Sequence, residues 1–173
     1  AEALRAKGLR RVEVPLQRAR RAEHDAVVAC TGQWKRAIHS LRLACEIPRL
    51  EVAVRTPITV GVVKDATDFA RLLSMLNGVE WVLDVTDEAP CLQTFEWIQS
   101  IYSCAMEWNV PIRLSKPFSE LDGPLSIAHQ PLNKSILQLI RDGGYWGKAG
   151  VQTHMPESGA DFYPDLKDEY TNT

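Results

Sequence analysis

The sequence lacks the features that mark most membrane proteins and cofactor-dependent enzymes. No apolar run reaches the roughly 18–20 residues that cross a bilayer, so we predict no membrane span. The glycine-rich segment Gly143–Lys148 lacks the Gly-x4-Gly-Lys-Ser/Thr order of a phosphate-binding loop. His129 and His154 stand near prolines, without a serine or cysteine elbow to activate. We therefore expect no cofactor, and a non-catalytic role is favoured over an enzyme.

A zinc site is also disfavoured. No Cys-x-x-Cys pair is present, although His24 and Cys30 have the same spacing as His39 and Cys45. Six residues along a helix advance by about 600°, which leaves the two side chains of each pair roughly 120° apart. We predict no metal site.

The composition is that of an ordinary folded domain. The chain has 173 residues, of which 45% are hydrophobic and 24% charged, and its net charge is −2. This length suits one compact unit with extensions, and these fractions predict a core rather than disorder. Such a balance gives no overall attraction to nucleic acid or to an anionic membrane.

The two ends of the chain carry opposite charge. Residues 1–23 have seven basic and three acidic residues, and residues 150–173 have one lysine and five acids. The basic end indicates phosphate or an acidic protein surface as a partner, and the alternative is a solvated helix face. The candidate partner-binding residues here are Arg10, Arg11, Arg18 and Arg21. A nucleic-acid-binding module is a second alternative function, although the lack of a basic excess makes it an unfavoured one.

The central part of the chain predicts an α/β fold. Short apolar runs at Ile58–Val63, Val79–Val85 and Val110–Leu114 alternate with helical patterns at Asp65–Leu76 and Pro90–Trp108. This βαβαβ order is typical of a mostly parallel sheet, because parallel strands need long crossovers.

Before this core lies a long N-terminal helical element. Leu9–Leu16 predicts an edge strand, because Pro15 cannot donate to a central ladder, and Leu50–Arg55 predicts a further strand. From Gln17 to Glu46 the apolar residues recur at helical spacing, interrupted at Thr31–Gly32, which predicts two helices or a bent one. We divide the chain into an N-terminal basic strand and helical element (1–48), an α/β core (49–144) and an extended acidic aromatic arm (145–173).

Aromatic residues supply a second set of candidate partner-binding positions. The helix Pro90–Trp108 is apolar on more than one stripe, so Trp97 and Trp108 are candidates for contact with another segment or chain. The C-terminal arm is rich in glycine, proline and acids, and its aromatic candidates are Trp146, Phe162 and Tyr163. We expect this arm to lie on a surface, with the basic segment Arg5–Arg21 as one docking face.

Carboxylates after the predicted strands support an alternative, enzymatic reading. Ligands of open parallel sheets bind beyond the carboxyl ends of the strands, where Lys64, Asp84 and Asp87 are the candidate catalytic residues. Asp65 and Thr86 lie nearby, and such residues also collect at helix starts to cap them. The alternative function is thus an enzyme acting on a small molecule or a phosphate.

The cysteine pattern favours a reducing compartment. Cys30, Cys45, Cys91 and Cys104 each fall in a helical pattern, which predicts buried thiols rather than disulfides. We expect a soluble intracellular protein, in the cytoplasm or in an organelle interior such as the mitochondrial matrix. Ala1 and the arginine-rich start fit removal of a targeting segment, loss of the initiator methionine or trimming equally well.

The function that we expect is that of a non-catalytic protein-interaction or structural subunit of a larger intracellular assembly. Three features indicate this function. The helix Pro90–Trp108 is apolar on more than one stripe, the two ends of the chain carry opposite charge, and the sequence lacks a reactive constellation. We expect its partners to be other proteins or further copies of the chain.

Overall fold

The computed structural model describes residues 8–76, 78–85 and 92–115. Asp87, the arm 145–173 and its aromatic candidates lie outside these residues. The elements follow in the order β1 (Arg11–Pro15), α1 (Arg21–Val27), α2 (Gln33–Cys45), β2 (Glu51–Pro57), α3 (Val60–Lys64), α4 (Ala66–Ser74), β3 (Val79–Asp84), α5 (Leu92–Glu107) and β4 (Ile112–Leu114). No helix among them is both long and apolar enough to cross a membrane.

The four strands form one parallel sheet in the order β1-β2-β3-β4, which confirms the predicted α/β class. The register places Val14 beside Val54, Val54 beside Trp81, and Trp81 beside Ile112. Each new strand is added at the same edge. Because crossovers between parallel strands are almost always right-handed, this winding places the connecting helices on one face of the sheet.

The hydrophobic core lies between that face and the helices. The buried strand residues that belong to it are Val52, Val54, Val79, Trp81, Leu83, Ile112 and Leu114, and the helices contribute Trp34, Ile38, Leu41, Phe69, Leu72, Ile98, Ile101 and Tyr102. Ala53 and Val82 point to the opposite face, since side chains alternate along a strand. They are buried too, but they do not belong to this core.

The predicted strand Ile58–Val63 is wrong. The strand ends at Pro57, and Val60–Lys64 forms the short helix α3. The hydroxyl of Thr59 accepts a hydrogen bond from the backbone N–H of Val62 at 3.3 Å, which caps this helix. The helix cap at Thr59 therefore outweighs the preference of the β-branched residues for a strand. The strand that precedes α3 is the one predicted at Leu50–Arg55.

The long N-terminal element is two helices, α1 and α2. Gly32 lies directly before α2 and has a φ of 84°, a left-handed conformation that glycine adopts without strain. The Asp25 carboxylate accepts hydrogen bonds from the backbone N–H groups of Gly32 at 2.7 Å and Trp34 at 2.9 Å. The bonds from Trp34 and Gly32 lower the pKa of Asp25, because they favour its charged form.

The cysteines only partly follow the prediction of buried helical thiols. Cys45 and Cys104 are half-buried in helices, and burial raises the pKa of Cys45. Cys30 is exposed and lies in the turn between α1 and α2, because the break at Gly32 ends the helical pattern there. Cys91 lies outside the described residues.

We expect His24 to make the stability of the fold depend on pH. Its side chain is buried, and its Nδ1 accepts a hydrogen bond from the backbone N–H of Gln17 at 3.0 Å. Desolvation lowers its pKa below the ordinary 6.5, against a smaller opposing effect of Asp25. The unfolded chain therefore binds this proton more readily than the folded chain does. We expect the free energy of unfolding to keep its highest value above about pH 6.5 and to decrease as the pH is lowered further.

Urea unfolding at about pH 7.5 and 5.5 measures this effect, since both values bracket the ordinary histidine pKa. A His24→Gln variant keeps a polar side chain but cannot titrate, so its loss of stability between the two pH values should be smaller than that of the wild type. Equal losses in both proteins would show that His24 has no part in the acid response.

Candidate functional site

The face of the sheet that lies opposite the helices carries a continuous set of charges. The set, which we call the charged sheet face, consists of Arg11, Glu13, Glu51, Arg55, Glu80, Asp84 and Arg113, and it includes residues from all four strands. Helices usually cover both faces of an all-parallel sheet. Within the described residues no helix covers this one, and the side chains of Glu51 and Arg55 are 64% and 45% exposed.

These charges bind one another across the strands. Glu80 accepts hydrogen bonds from Arg11 at 2.5 Å and from Arg113 at 3.2 Å. Glu13 accepts from Arg11 at 2.9 Å, and from Arg55 and Arg113 at 3.3 Å each. Burial lowers the pKa of Arg11, but its bonds to Glu80 and Glu13 outweigh burial and the net direction is upward. These bonds to Glu80 and Glu13 therefore favour the charged form of Arg11.

The network covers the middle of the sheet. Glu13 is on β1 and Arg113 on β4, which are three strand spacings or about 14 Å apart. Their side chains nevertheless meet, so they must extend along the sheet surface. Ala53 and Val82, on the strands between them, are 0% and 1% exposed. The long charged side chains thus shield the small apolar residues of this face from water, as a second layer of helices would elsewhere.

Asp84, a candidate catalytic carboxylate, belongs to this network. Arg55 donates to both of its oxygens, at 3.2 and 3.0 Å, and the Ser115 hydroxyl donates to one of them at 2.8 Å. The hydrogen bond to Asp84 raises the pKa of Arg55, so the pair is ionic. A carboxylate held in this way acts poorly as a general base, because its lone pairs are occupied.

Lys64, the other strand-end candidate within the described residues, does not join Asp84. It is exposed at the end of α3, the helix that forms in place of the strand expected to position it. In the described part of the chain, no cluster of three or more histidine, cysteine or acidic side chains could hold a metal ion. No catalytic constellation is therefore formed at this edge by the residues that the structure describes.

A second ionic cluster is centred on Arg18, which sequence reasoning named as a partner-binding residue. Its Nε donates to Asp65 at 2.7 Å and its Nη2 to Glu23, and the hydrogen bond to Asp65 raises the pKa of Arg18. Its guanidinium lies directly against Gly61. Asp65 makes no side-chain cap to α4, so that prediction is wrong. The guanidinium offers the carboxylate a stronger partner than a backbone amide does.

The remaining predicted partner-binding residues lie at separate places. Arg10 is exposed, and half-buried Arg21 lines a cleft of about 630 Å³ beside α1. Trp97 and Trp108 are half-buried against the core, and the Arg71 guanidinium lies 5.0 Å from the ring centre of Trp108. The described structure thus gathers only Arg11 of these residues into the charged sheet face.

Sequence reasoning missed most of this face, namely Glu13, Glu51, Arg55, Glu80 and Arg113. A signal was present, because in Glu51–Pro57 and Val79–Asp84 charged or small residues alternate with large apolar ones. Such alternation indicates a strand with one wet face, whereas buried parallel strands are apolar throughout. Comparison of the chain with family models, curated proteins and solved structures gives no significant match.

Proposed function

We propose that this protein is a non-catalytic interaction subunit and that it binds a protein partner on the charged sheet face. The observation that carries the proposal is the face of an all-parallel sheet that no described helix covers and that a cross-strand network of arginines and carboxylates occupies. Because helices usually cover both faces of an all-parallel sheet, a face without such a cover is open to another partner. The proposed role of the chain is therefore to bind another protein.

The chemistry of the face supports a polar, charge-matched partner. Three arginines and four carboxylates give it a net charge of −1, which does not favour the polyanionic backbone of a nucleic acid. The carboxylate of Glu51 and the guanidinium of Arg55 extend furthest into solvent, with side chains 64% and 45% exposed. A partner that offers a cation to Glu51 and a carboxylate to Arg55 would find both groups already oriented.

The enzymatic alternative has less support. Asp84 is fully engaged with Arg55 and Ser115, and Lys64 lies on α3 rather than at a strand end. The neighbouring Asp87 lies outside the described residues.

Charge reversal at Glu51 tests the proposal. Glu51 has one weak ion pair, at 3.4 Å to Arg11, so Glu51→Lys should leave the fold intact. A tagged wild-type chain would first define, by mass spectrometry, the proteins that co-purify from its native cells. We expect Glu51→Lys to weaken their binding by tenfold or more, because a like charge would then face the partner's cation.

The matched control is Glu107→Lys, the same change at an exposed position at the end of α5. This variant should retain the partners as the wild type does. If both variants retain them equally, or if the wild-type chain is a monomer without partners in its native setting, the proposal is wrong.

A further inference from the structure

The outer face of helix α2 is a second charged surface, on the side of the fold away from the sheet. Arg36, His39 and Leu43 are exposed and are spaced by three and four residues, so they form one stripe along the helix. The opposite stripe contains Trp34, Ile38 and Leu41, which are buried in the core. Lys35 lies half-buried beside the exposed stripe. We call Lys35, Arg36, His39 and Leu43 the α2 outer face.

The cations of this face have no partner in the described part of the chain. No carboxylate occurs between Gln33 and Cys45, and Lys35 and Arg36 form no ion pair with the described residues. By contrast, Arg11, Arg18 and Arg20 of the preceding segment each bind a carboxylate of the folded core. Three described cations of the basic segment expected to receive the acidic arm are thus engaged, whereas Lys35 and Arg36 on α2 are not.

Helix stability does not account for Lys35 and Arg36. Both lie near the N-terminus of α2, where the helix dipole favours acidic side chains and disfavours basic ones. Asp25 already satisfies the N–H groups of Gly32 and Trp34 at this end. The two cations are therefore better explained by a negatively charged partner than by the folding of α2.

Leu43 adds an apolar feature to the same face, since it is 47% exposed next to these charges. A matching partner would carry several carboxylates and at least one apolar side chain. Residues 150–173 of this chain have that chemistry, with five acids, one lysine and the neighbouring aromatics Phe162 and Tyr163. We propose that this acidic segment binds to the α2 outer face of the same chain.

The chain is long enough for this contact. Thirty-four residues, 116–149, connect the end of the described structure to the acidic segment. Extended, they span up to about 110 Å, whereas the four strands of the sheet are only about 14 Å across. The segment can therefore reach the far side of the helical layer without displacing any described element.

Zero-length carbodiimide cross-linking of the purified full chain tests the contact, because it joins an amine only to a carboxylate that touches it. Lys35 and Lys64 are the two lysines in the described residues, and Lys64, the more exposed of the two, is the control. We expect Lys35 to link to Glu157, Asp161 or Asp165, and Lys64 not to do so. The Lys35 link should fade as the salt concentration rises to about 0.5 M, where exposed charges are screened.

An equal mixture of isotopically heavy and light chains identifies the copy that supplies the segment. If Lys35 and the acidic segment of each linked pair are both heavy or both light, they belong to the same chain, which supports the proposal. Mixed heavy and light links in the proportion of random pairing would place the segment on a second copy and overturn it. No links at Lys35, or equal links at Lys35 and Lys64, would overturn it as well.

Arg36→Glu provides an independent readout through trypsin cleavage after Lys167 in the acidic segment. We expect this variant to be cleaved at least fivefold faster than the wild type, and Lys64→Glu to match the wild type. The helix dipole favours glutamate near the start of α2, so faster cleavage could not be attributed to unfolding of the helix. Equal cleavage of all three proteins would contradict the proposal. Both experiments use the purified chain without an external partner. Their outcome therefore does not depend on whether the charged sheet face binds another protein.

Discussion

Replacing Trp81 by alanine is expected to lower the free energy of unfolding by about 3–5 kcal/mol, the range found when large aromatic side chains are removed from cores. Trp81 is 0% exposed on the strand β3, between β2 and β4. Its ring stacks on Phe69 of α4 with 5.2 Å between ring centres. The residue therefore joins the sheet to the helical layer, and its removal leaves a cavity at that junction.

The indole of Trp81 also makes a hydrogen bond, so a second variant can separate the contribution of ring packing to stability from that of the hydrogen bond. Its Nε1 donates to the Thr56 hydroxyl at 3.1 Å inside the core. Trp81→Phe keeps an aromatic ring against Phe69 and loses this bond, so we expect a smaller loss of about 1–2 kcal/mol. Urea unfolding measures both variants. A loss below about 1 kcal/mol for Trp81→Ala would contradict the packing described here.

Replacing Arg18 by alanine is expected to destabilise the fold by about 2 kcal/mol. Breaking a fully buried ion pair costs about 3–5 kcal/mol, and partial exposure reduces this figure. The side chains of Arg18 and Asp65 are 21% and 11% exposed, so Asp65 would lose its partner in a largely dry site. Arg20→Ala is the control. Arg20 pairs with Asp68 but its own side chain is exposed to solvent, so we expect little change in the free energy of unfolding.

Gly61 tests the same cluster from the other side. A Cβ atom at this position would lie 2.5 Å from Nη1 of Arg18, so Gly61→Ala must displace the guanidinium and should destabilise the wild type. In an Arg18→Ala background the clash is absent, and alanine should then stabilise helix α3 by up to about 1 kcal/mol. If Arg18→Ala left urea unfolding unchanged, or if Gly61→Ala had the same effect in both backgrounds, Arg18 would not have this structural role.

Local patterns predicted much of the fold correctly. The apolar runs at Val79–Val85 and Val110–Leu114 are strands, and the edge position of β1 follows from Pro15. The error at Ile58–Val63 has a specific cause. Its β-branched residues favour a strand, but Thr59 caps a helix there, and such a cap depends on where the preceding strand ends.

The charged sheet face was harder to predict because it depends on strand order. Arg113 and Glu13 are one hundred residues apart in the sequence, and they meet only because all the strands are added at one edge. Sequence periodicity shows which residues of a strand share a face, but it does not show which strands are neighbours. For the same reason Asp84 resembled a free strand-end carboxylate, although Arg55 on the next strand binds both of its oxygens.

Carboxylate footprinting of Glu51 tests the central claim most directly. The assembly that contains this chain would be isolated from its native cells and labelled with a carbodiimide and a small amine, beside the purified chain labelled alone. Glu51 has the most exposed carboxylate of the ion pairs on the charged sheet face, with 64% of its side chain accessible, and Glu107 on α5 is an exposed internal reference. We predict that labelling of Glu51 falls severalfold in the assembly while labelling of Glu107 is unchanged. Equal labelling of Glu51 in the assembly and in the isolated chain would contradict the claim that a partner covers this face.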